Sequence, residues 1–319
     1  MLEVMQRALE CVLSLFLIGL VGYILDKRKW FAPETKTMIP QFVTLITLPP
    51  YLFANILNTF NKEELTGLLY GLLIPCLSIA ISFGLGLAMA RLLKVRRGRK
   101  GLFSVGFATS NTIYIGIPVN VALFGPEALP YVLIYFFGNT SFFWTIGNYM
   151  LSLDGDREPE PILSLDTLKK VMSPPLIGFL FGVALVLAEF RPPAFFMDAS
   201  VYIGSVTMPL ATIFIGITLA SINFRELRLD RDVAVLLLGR FVLCPLTVIL
   251  LMSLIPIPPL MAKVFIIQSS LPVISSAVLL ASYHRSDAQY ASVVVSLSTL
   301  MALVTIPAYM VIITLLGLD

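Results

Sequence analysis

Long apolar runs alternate with short polar segments along the whole chain. Ten of these runs approach the length of a membrane-spanning helix, which needs about 20 mostly apolar residues. In chain order, spans 1 to 10 are predicted at residues 8–25, 38–58, 65–90, 101–124, 129–151, 173–189, 200–222, 232–255, 260–282 and 289–317. We therefore predict an all-α membrane protein with ten transmembrane helices and short loops.

The amino-acid composition supports this prediction. Of the 319 residues, 58% are hydrophobic and 13% are charged, and the mean hydropathy is +0.92. Soluble globular proteins carry about 25% charged residues, so this chain has too little polar surface for a soluble protein. Its cysteines, Cys11, Cys76 and Cys244, lie inside apolar runs without metal-ligand spacing. We interpret them as small apolar residues.

Basic residues are distributed unequally between the two sides of the predicted membrane. Of the 22 Lys and Arg residues, 17 lie in the segments after odd-numbered spans. Four lie in the termini and after even-numbered spans, and the last is Arg240. Because basic loops face the cytoplasm, we expect both termini on the extracytoplasmic side of the cytoplasmic membrane. The basic run at 95–100 then fits a cytoplasmic anchor, and no nucleic-acid partner is expected.

The two halves of the chain resemble each other. The tripeptide at 47–49 (TLP) in span 2 matches 207–209 (TMP) in span 7, and 61–65 (NKEEL) resembles 223–227 (NFREL). Each half has five spans, an odd number, so the second copy must enter the membrane from the opposite side. This predicts an inverted repeat of the kind found in secondary transporters.

The predicted division is 1–151 for the first repeat, 152–172 for a cytoplasmic linker and 173–319 for the second repeat.

Spans 4 and 9 carry polar groups in mid-span. Span 4 reads FATSNTIYIGIPVN over 107–120, and span 9 reads QSSLPVISS over 268–276. Each places amides and hydroxyls beside a proline, which lacks an N–H donor and breaks or kinks a helix. Broken helices at equivalent places in an inverted repeat indicate a binding site near the membrane midplane. Helix N-termini at such a site favour an anion, and freed carbonyls favour a cation.

Helix packing is the competing interpretation of these polar residues. Hydroxyl side chains also let transmembrane helices approach and hydrogen-bond to one another, so the serines and threonines fit either explanation. The site is favoured for Asn111 and Gln268, because a buried amide is costly without a partner. The polar residues Asn139 in span 5 and Tyr51 in span 2 either line a substrate cavity or pack in the core.

Arg240 is the one basic residue deep inside an apolar run. Intramembrane charges are candidates for function, but Arg240 lies close enough to the cytoplasmic end of span 8 to extend its head group into the interface. We leave both interpretations open. No acidic residue lies centrally in a span, and the single histidine, His284, is expected at the surface. Without a Ser-His-Asp set, paired membrane aspartates or an HExxH motif, we expect neither an enzyme nor a metal site.

The motif at 110–118 (SNTIYIGIP), followed by Leu123-Phe-Gly125, resembles the signature of the auxin efflux carrier family. That family includes plant auxin carriers and bacterial malonate and malate permeases. Supporting matches are Arg240-Phe241 with Pro245, Ser270-Leu-Pro272 and Thr305-Ile-Pro307. The resemblance covers essentially the whole chain, and the short loop at 152–172 is typical of prokaryotic members.

The resemblance implies a ten-helix fold with two crossing broken helices, similar to bile-acid and sodium symporters. It implies a scaffold of spans 1, 2, 6 and 7, a mobile transport domain of spans 3–5 and 8–10, dimerisation through the scaffold and an elevator-like movement. By position it assigns Asn111 and Pro118 to the first crossing and Gln268, Ser269, Ser270 and Pro272 to the second. It also makes Asn139 a substrate-facing amide. Span 3 lacks the Asp of the plant carriers, so a role for that Asp is not carried over.

These observations predict a secondary transporter for a small organic anion, either a mono- or a dicarboxylate, in a lipid bilayer. The alternatives are a sodium-coupled symporter of the bile-acid type and, less favoured, a channel or a sensor. No cofactor is expected, and coupling to Na⁺ or H⁺ is left open. The predicted substrate-binding residues, with Arg240 as a candidate ion site or countercharge, are Ser110, Asn111, Thr112, Pro118, Asn139, Gln268, Ser269, Ser270, Pro272 and Tyr51.

Overall fold

The structure is a computed structural model that describes residues 2–155, 162, 165–223 and 227–318. Within these ranges its regular secondary structure is helical, and Ser110 and Val273 form an isolated antiparallel bridge. The prediction of an all-α chain is confirmed for this part of the protein. Residues 156–161 and 163–164 of the predicted linker at 152–172, and residues 224–226 in the middle of the repeat match at 223–227, lie outside the described residues.

The helices of the first half follow the first five predicted spans. Span 1 is one helix, spans 2 and 3 are each built from consecutive helices, span 4 is broken, and span 5 continues through a π-helical segment. These α-helices are α1 (Leu2–Lys27), α2 (Pro33–Phe42), α3 (Leu48–Thr59), α4 (Lys62–Leu68), α5 (Leu73–Leu92), α6 (Lys100–Ala108), α7 (Gly116–Phe124), α8 (Leu129–Phe142) and α9 (Asn148–Asp154).

The second half repeats this arrangement of continuous and broken helices. A short helix in the linker precedes it, span 9 is broken as span 4 is, and span 10 is one long helix. These α-helices are α10 (Leu165–Val171), α11 (Pro174–Leu187), α12 (Ala194–Ser205), α13 (Thr207–Ala220), α14 (Arg231–Leu238), α15 (Cys244–Leu254), α16 (Pro259–Ser269), α17 (Ser276–Tyr283) and α18 (Ala288–Leu315).

Several of these segments are suited to a bilayer. Among the described residues, five helical segments are both long and apolar enough to cross a membrane: Glu34–Thr59, Lys62–Leu92, Ala194–Ala220, Arg231–Leu254 and Ala288–Leu315. Large apolar side chains are exposed on many of the helices, as expected where lipid rather than water surrounds them. The chain is therefore a multi-pass membrane protein.

Prolines shape the interior of spans 2 and 8. The π-helical segments Val43–Thr47 and Gly239–Leu243 each end two residues before a proline, Pro49 or Pro245. The N–H of the residue before each proline bonds five residues back, Leu48 to Val43 and Cys244 to Gly239. A proline provides no donor and its ring crowds the preceding turn, so a widened turn accommodates it without ending the helix.

The most extensive contacts between spans fall into two groups, although span 1 also packs on spans 4 and 10. Span 1 packs most extensively on span 7, and span 2 packs on spans 6 and 7. In the other group, span 3 packs on spans 4, 5 and 8, and spans 4, 5, 9 and 10 pack among themselves. Gly216 lets spans 1 and 7 approach closely, because a Cβ there would overlap the carbonyl oxygen of Gly19.

Candidate functional site

The breaks in spans 4 and 9 lie side by side. The first separates α6 from α7 at residues 109–115, and the second separates α16 from α17 at residues 270–275. The Asn111 N–H donates to the Pro272 carbonyl at 2.9 Å, beside the Ser110–Val273 bridge. We call these two segments the paired breaks. Their short extended pairing satisfies backbone groups that a lipid-facing break would leave unpaired.

The two predicted prolines have different positions. Pro272 lies in the second break, where its carbonyl accepts the bond from Asn111. Pro118 lies in the first turn of α7, three residues after the first break ends, and its part in substrate binding stays a prediction. A proline is tolerated in the first turn because N–H groups there have no intrahelical partner.

Polar side chains of spans 5 and 10 hold the paired breaks. The Asn139 amide donates to the Ser110 carbonyl and accepts from the Ser110 N–H, both at 2.9 Å. The Ser298 hydroxyl accepts from the Val273 N–H at 3.1 Å. In this conformation Asn139 therefore bonds the backbone of the break, and its substrate-facing role remains a prediction. Ser298 was not predicted, because a serine inside an apolar helix carries no distinguishing signal.

Asn111 connects the two breaks through its side chain as well as its backbone. Its amide nitrogen donates to the Ser275 hydroxyl at 2.8 Å, immediately before α17 begins. Its carbonyl accepts from the Gly116 N–H at 3.1 Å, at the start of α7. The buried Thr112 lies in the same turn, where its N–H bonds to the Ser110 carbonyl. Asn111 thus lies between the N-terminal ends of α7 and α17, the helices that follow the two breaks.

The Gln268 amide faces the start of α7 and has no hydrogen-bond partner among the described residues. The side chain is 0% exposed, and neither its oxygen nor its nitrogen is bonded. A Cβ added at Gly116 would lie 2.5 Å from its Oε1, so only a glycine leaves room for it there. One turn along α7, Asn120 bonds to the Gly116 carbonyl at 2.8 Å, but its Oδ1 is also unpaired. Unpaired buried amides are costly and indicate a place where a ligand or water completes the bonding.

The two predicted serines beside Gln268 bond within their own helix. The Ser269 hydroxyl donates to the Ile266 carbonyl at 2.8 Å, and the Ser270 hydroxyl donates to the Ile267 carbonyl at 2.9 Å. Hydroxyls bonded to their own helix in this way are ordinary in membrane helices. The packing interpretation therefore accounts for these two hydroxyls in this conformation, and their part in binding stays a prediction.

Arg240 is buried at the paired breaks, so the interpretation that it reaches the cytoplasmic interface is wrong. Its side chain is 0% exposed. The guanidinium donates to the Phe107 carbonyl at 3.4 Å and makes a shorter contact with the Ser269 carbonyl. The Cys244 thiol donates to the same Phe107 carbonyl at 2.8 Å. Arg240 thus lies at the C-terminal ends of α6 and α16, where helix carbonyls lack intrahelical donors.

Tyr51 lies away from these contacts. It packs against Gly204 of span 7, where a Cβ would lie 2.8 Å from the Tyr51 Cα. Its assignment to the substrate cavity therefore remains a prediction without a contact to the paired breaks.

An apolar cavity of about 260 Å³ adjoins the start of α7. Spans 1 and 7 form one wall, and spans 4 and 10 form the other. Ile115, next to Gly116, and Val119 line it on α7, and Thr212 and Thr299 supply hydroxyls. None of the described residues that line it carries a charged side chain. The cavity therefore offers an apolar compartment beside the helix start that Gln268 faces.

A polar cluster closes the predicted cytoplasmic side of spans 4, 5, 9 and 10. His284 is 0% exposed and its Nε2 lies 2.9 Å from the Asn148 Oδ1, so the expectation of a surface histidine is wrong. Burial raises the pKa of Asp154, although its carboxylate accepts from the Leu102 N–H at 2.9 Å. Asp287 pairs with Arg99 at 2.6 Å. These contacts tie the start of α6 to the ends of the neighbouring spans.

The donor set does not suggest a metal centre. Among the described residues, no three His, Cys, Asp or Glu side chains are grouped so that they could hold a metal ion. The paired breaks instead offer amides, hydroxyls, helix N-termini and one guanidinium. Such groups recognise anions through hydrogen bonds and partial positive charge.

Comparison with known proteins yields matches along nearly the whole chain. A family model described as a membrane transport protein matches residues 7–310. An uncharacterized transporter of Methanothermobacter thermautotrophicus is 27% identical over 307 residues, 95% of this chain and 97% of the relative. An uncharacterized transporter of Methanocaldococcus jannaschii is 24% identical over 306 residues, 93% of this chain and 96% of the relative. The similarity therefore includes both paired breaks.

Proposed function

The protein belongs to the membrane transport protein family, that of the auxin efflux carriers, and from this premise we propose that it carries a small organic anion as a secondary transporter. The proposed site lies at the paired breaks. It uses the N-terminal ends of α7 and α17 together with the amides of Asn111 and Gln268.

The unpaired Gln268 amide is the observation that carries this proposal. It is fully buried, its nitrogen and oxygen both lack partners in the described structure, and it faces the first residue of α7. A helix N-terminus carries about half a positive charge. A carboxylate bound there is attracted by this charge and accepts a hydrogen bond from the Gln268 Nε2, which removes the cost of the unpaired amide nitrogen.

The neighbouring cavity supports a substrate with an apolar body. A carboxylate at the start of α7 would extend its remaining atoms past Ile115 into the apolar compartment between spans 1, 7, 4 and 10. Among mono- and dicarboxylates, we therefore favour monocarboxylates with an apolar side group. A second carboxylate in this compartment would be desolvated without a basic partner, which is unfavourable.

We propose that ten transmembrane spans form two inverted five-span repeats, as the chain pattern predicts. Three structural correspondences support this. The hydroxyls of Thr47 and Thr207, the first residues of the two matched tripeptides, bond to each other at 2.8 Å. Both broken spans are fourth in their half. Each break is held by a side chain of the fifth span, Asn139 in one half and Ser298 in the other.

We propose that the two packing groups move relative to each other in an elevator-type cycle. The group of spans 1, 2, 6 and 7 corresponds to the scaffold, and the group of spans 3–5 and 8–10 contains both breaks. The apolar cavity lies along the boundary between the groups, where relative movement exposes a substrate alternately to each side. Dimerisation through the scaffold and extracytoplasmic termini are parts of the same proposal.

Thermal unfolding of the purified protein with a panel of organic acids tests the site. A ligand that binds only the folded state raises the melting temperature, and we expect apolar monocarboxylates to do so in the wild type. Gln268→Met keeps the volume but removes the amide. It should therefore abolish the ligand-induced shift while leaving the ligand-free melting temperature equal or higher, because an unpaired buried amide has been removed.

Gln41→Met is the matched control. Gln41 is an exposed glutamine of α2, and its substitution should leave both the ligand-free melting temperature and the ligand-induced shift unchanged. A wild-type shift that persists in Gln268→Met would place the anion site elsewhere.

A further inference from the structure

Arg240 joins the C-terminal ends of α6 and α16, the helices that precede the two breaks. Phe107 is the last but one residue of α6, and Ser269 is the last residue of α16. The guanidinium donates to a carbonyl of each. The two helices belong to different spans, α6 to span 4 and α16 to span 9. A single side chain of span 8 therefore connects the helix ends that precede the two breaks.

The charges at this point balance without any carboxylate. Each helix C-terminus carries about half a negative charge, so two of them together offset one guanidinium. Three ion pairs among the described residues, Lys36–Asp26, Lys62–Glu189 and Arg99–Asp287, do not involve Arg240. Without the guanidinium, two carbonyl ends would face each other in a low-dielectric interior, where like partial charges repel strongly.

We propose that Arg240 is the resident cation of the transport site: it permanently occupies the position between the carbonyl ends of α6 and α16 that a bound metal cation would otherwise have to fill. This inference rests on the proposed function, since it describes the same paired breaks. It makes Arg240 a positioning residue, because it holds the carbonyl ends of α6 and α16 together and leaves the positive ends of the α7 and α17 dipoles to attract the anion.

The position of Arg240 has a consequence for ion coupling. Carbonyl oxygens at half-helix C-termini are the groups that hold Na⁺ in transporters with broken helices. Here the carbonyls of Phe107 and Ser269 already accept from a guanidinium, and Phe107 also accepts from Cys244. A sodium ion at this place would have to displace a fixed charge of the same sign, so anion transport should not depend on sodium.

Adding free guanidinium to a variant that lacks the Arg240 side chain tests whether the cation itself is needed between the two helix ends. In Arg240→Ala, uptake of the anion into proteoliposomes should fall by about tenfold or more, because the two buried carbonyl ends lose their hydrogen-bond donor and their countercharge. Low-millimolar guanidinium on both sides of the membrane should restore a substantial part of the uptake, because it supplies the missing cation and its planar donors. In Arg231→Ala, where the arginine is exposed at the start of α14, guanidinium should change nothing.

A second measurement does not depend on transport. Low-millimolar guanidinium should raise the melting temperature of purified Arg240→Ala but lower or leave unchanged that of the wild type and of Arg231→Ala. If Arg240→Ala cannot be purified, Arg240→Lys serves, because it keeps the charge but not the planar pair of donors. It should fold, and its uptake should lie between that of the wild type and zero.

The wild-type uptake is then compared in sodium, potassium and choline media, and equal rates are expected. A several-fold stimulation by sodium overturns the proposal, as does wild-type uptake in Arg240→Ala, or a folded Arg240→Ala that guanidinium neither stabilises nor reactivates. Absence of any anion uptake by the wild type would refute the proposed function instead. The thermal effect of guanidinium on Arg240→Ala would still decide the role of Arg240.

Discussion

At the residue scale, the two amides at the paired breaks have different surroundings among the described residues. Asn111 and Gln268 were singled out because buried amides need partners, and both are buried at the paired breaks. That Asn111 has a partner in Ser275, whereas Gln268 has none in the described part of the chain, depends on the geometry of two distant segments. Local sequence does not encode that geometry. The same holds for Arg240, whose direction in the membrane could not be decided from its distance to the span end.

Asp287 supports a prediction about stability and pH. Its side chain accepts from the Tyr290 N–H at 2.9 Å at the start of α18 and pairs with Arg99 at 2.6 Å. Burial alone would raise the pKa of Asp287, but these hydrogen bonds and the charges of Arg99 and Arg96 hold it below its ordinary value. A carboxyl with a lowered pKa stabilises the folded state at neutral pH, and this contribution is lost as the pH falls through the folded-state value.

We therefore expect Asp287→Ala to lower the free energy of unfolding by about 1–2 kcal/mol at neutral pH, through the lost helix cap and ion pair. The deficit relative to the wild type should shrink in strong acid. Thermal unfolding across pH measures both effects. Asp230→Ala is the matched control, since Asp230 precedes α14 but makes no side-chain cap bond. Equal effects of the two substitutions would contradict the assignment.

At the element scale, hydrophobic runs predicted the helices well. Each predicted span coincides with a helix or a pair of helices, because burial in lipid requires continuous apolar stretches with internally satisfied backbones. The breaks were predicted from polar residues near prolines, yet the first one lies at 109–115, before Pro118. Its position is set by the hydrogen bonds that the Ser110 and Asn111 N–H groups donate to Asn139 and Pro272, which are tertiary contacts. The π-helical segments were not predicted for the same reason.

The close packing of spans 1 and 7 leads to a prediction at this scale. A methyl group at Gly216 would overlap the Gly19 carbonyl oxygen, whereas one at Gly84 in span 3 would meet no atom within 4 Å. Gly216→Ala should destabilise the protein by about 1–3 kcal/mol, because overpacking forces the helices apart. Gly84→Ala should be neutral or stabilise by up to about 1 kcal/mol, because alanine favours the helix.

Thermal unfolding of the two variants, each compared with the wild type, tests this packing. The sign of the difference is the decisive result, since both changes add one methyl group to a transmembrane glycine. If Gly216→Ala were as stable as Gly84→Ala, spans 1 and 7 would not be in the close contact described.

At the scale of the whole molecule, the grouping of spans could not be derived from the pattern of apolar runs. The two runs of five spans and their matched tripeptides indicated an inverted repeat. Which spans pack together, however, depends on shape complementarity over helices far apart in sequence, such as spans 1 and 7. The division into scaffold and transport groups came from family resemblance and stays a prediction. Membership of the family is established by the match over residues 7–310.

The most direct test of the central claim is uptake of radiolabelled organic acids into proteoliposomes that contain the wild type, Asn111→Ala, Gln268→Ala or the control Gln41→Ala. Saturable uptake of an apolar monocarboxylate is expected for the wild type and Gln41→Ala. Because both amides lie at the half-helix N-termini that would hold the anion, each of the other variants should lose uptake by about tenfold or more. Uptake that does not saturate, or that is unchanged by Asn111→Ala and Gln268→Ala, would contradict an anion transporter with its site at the paired breaks.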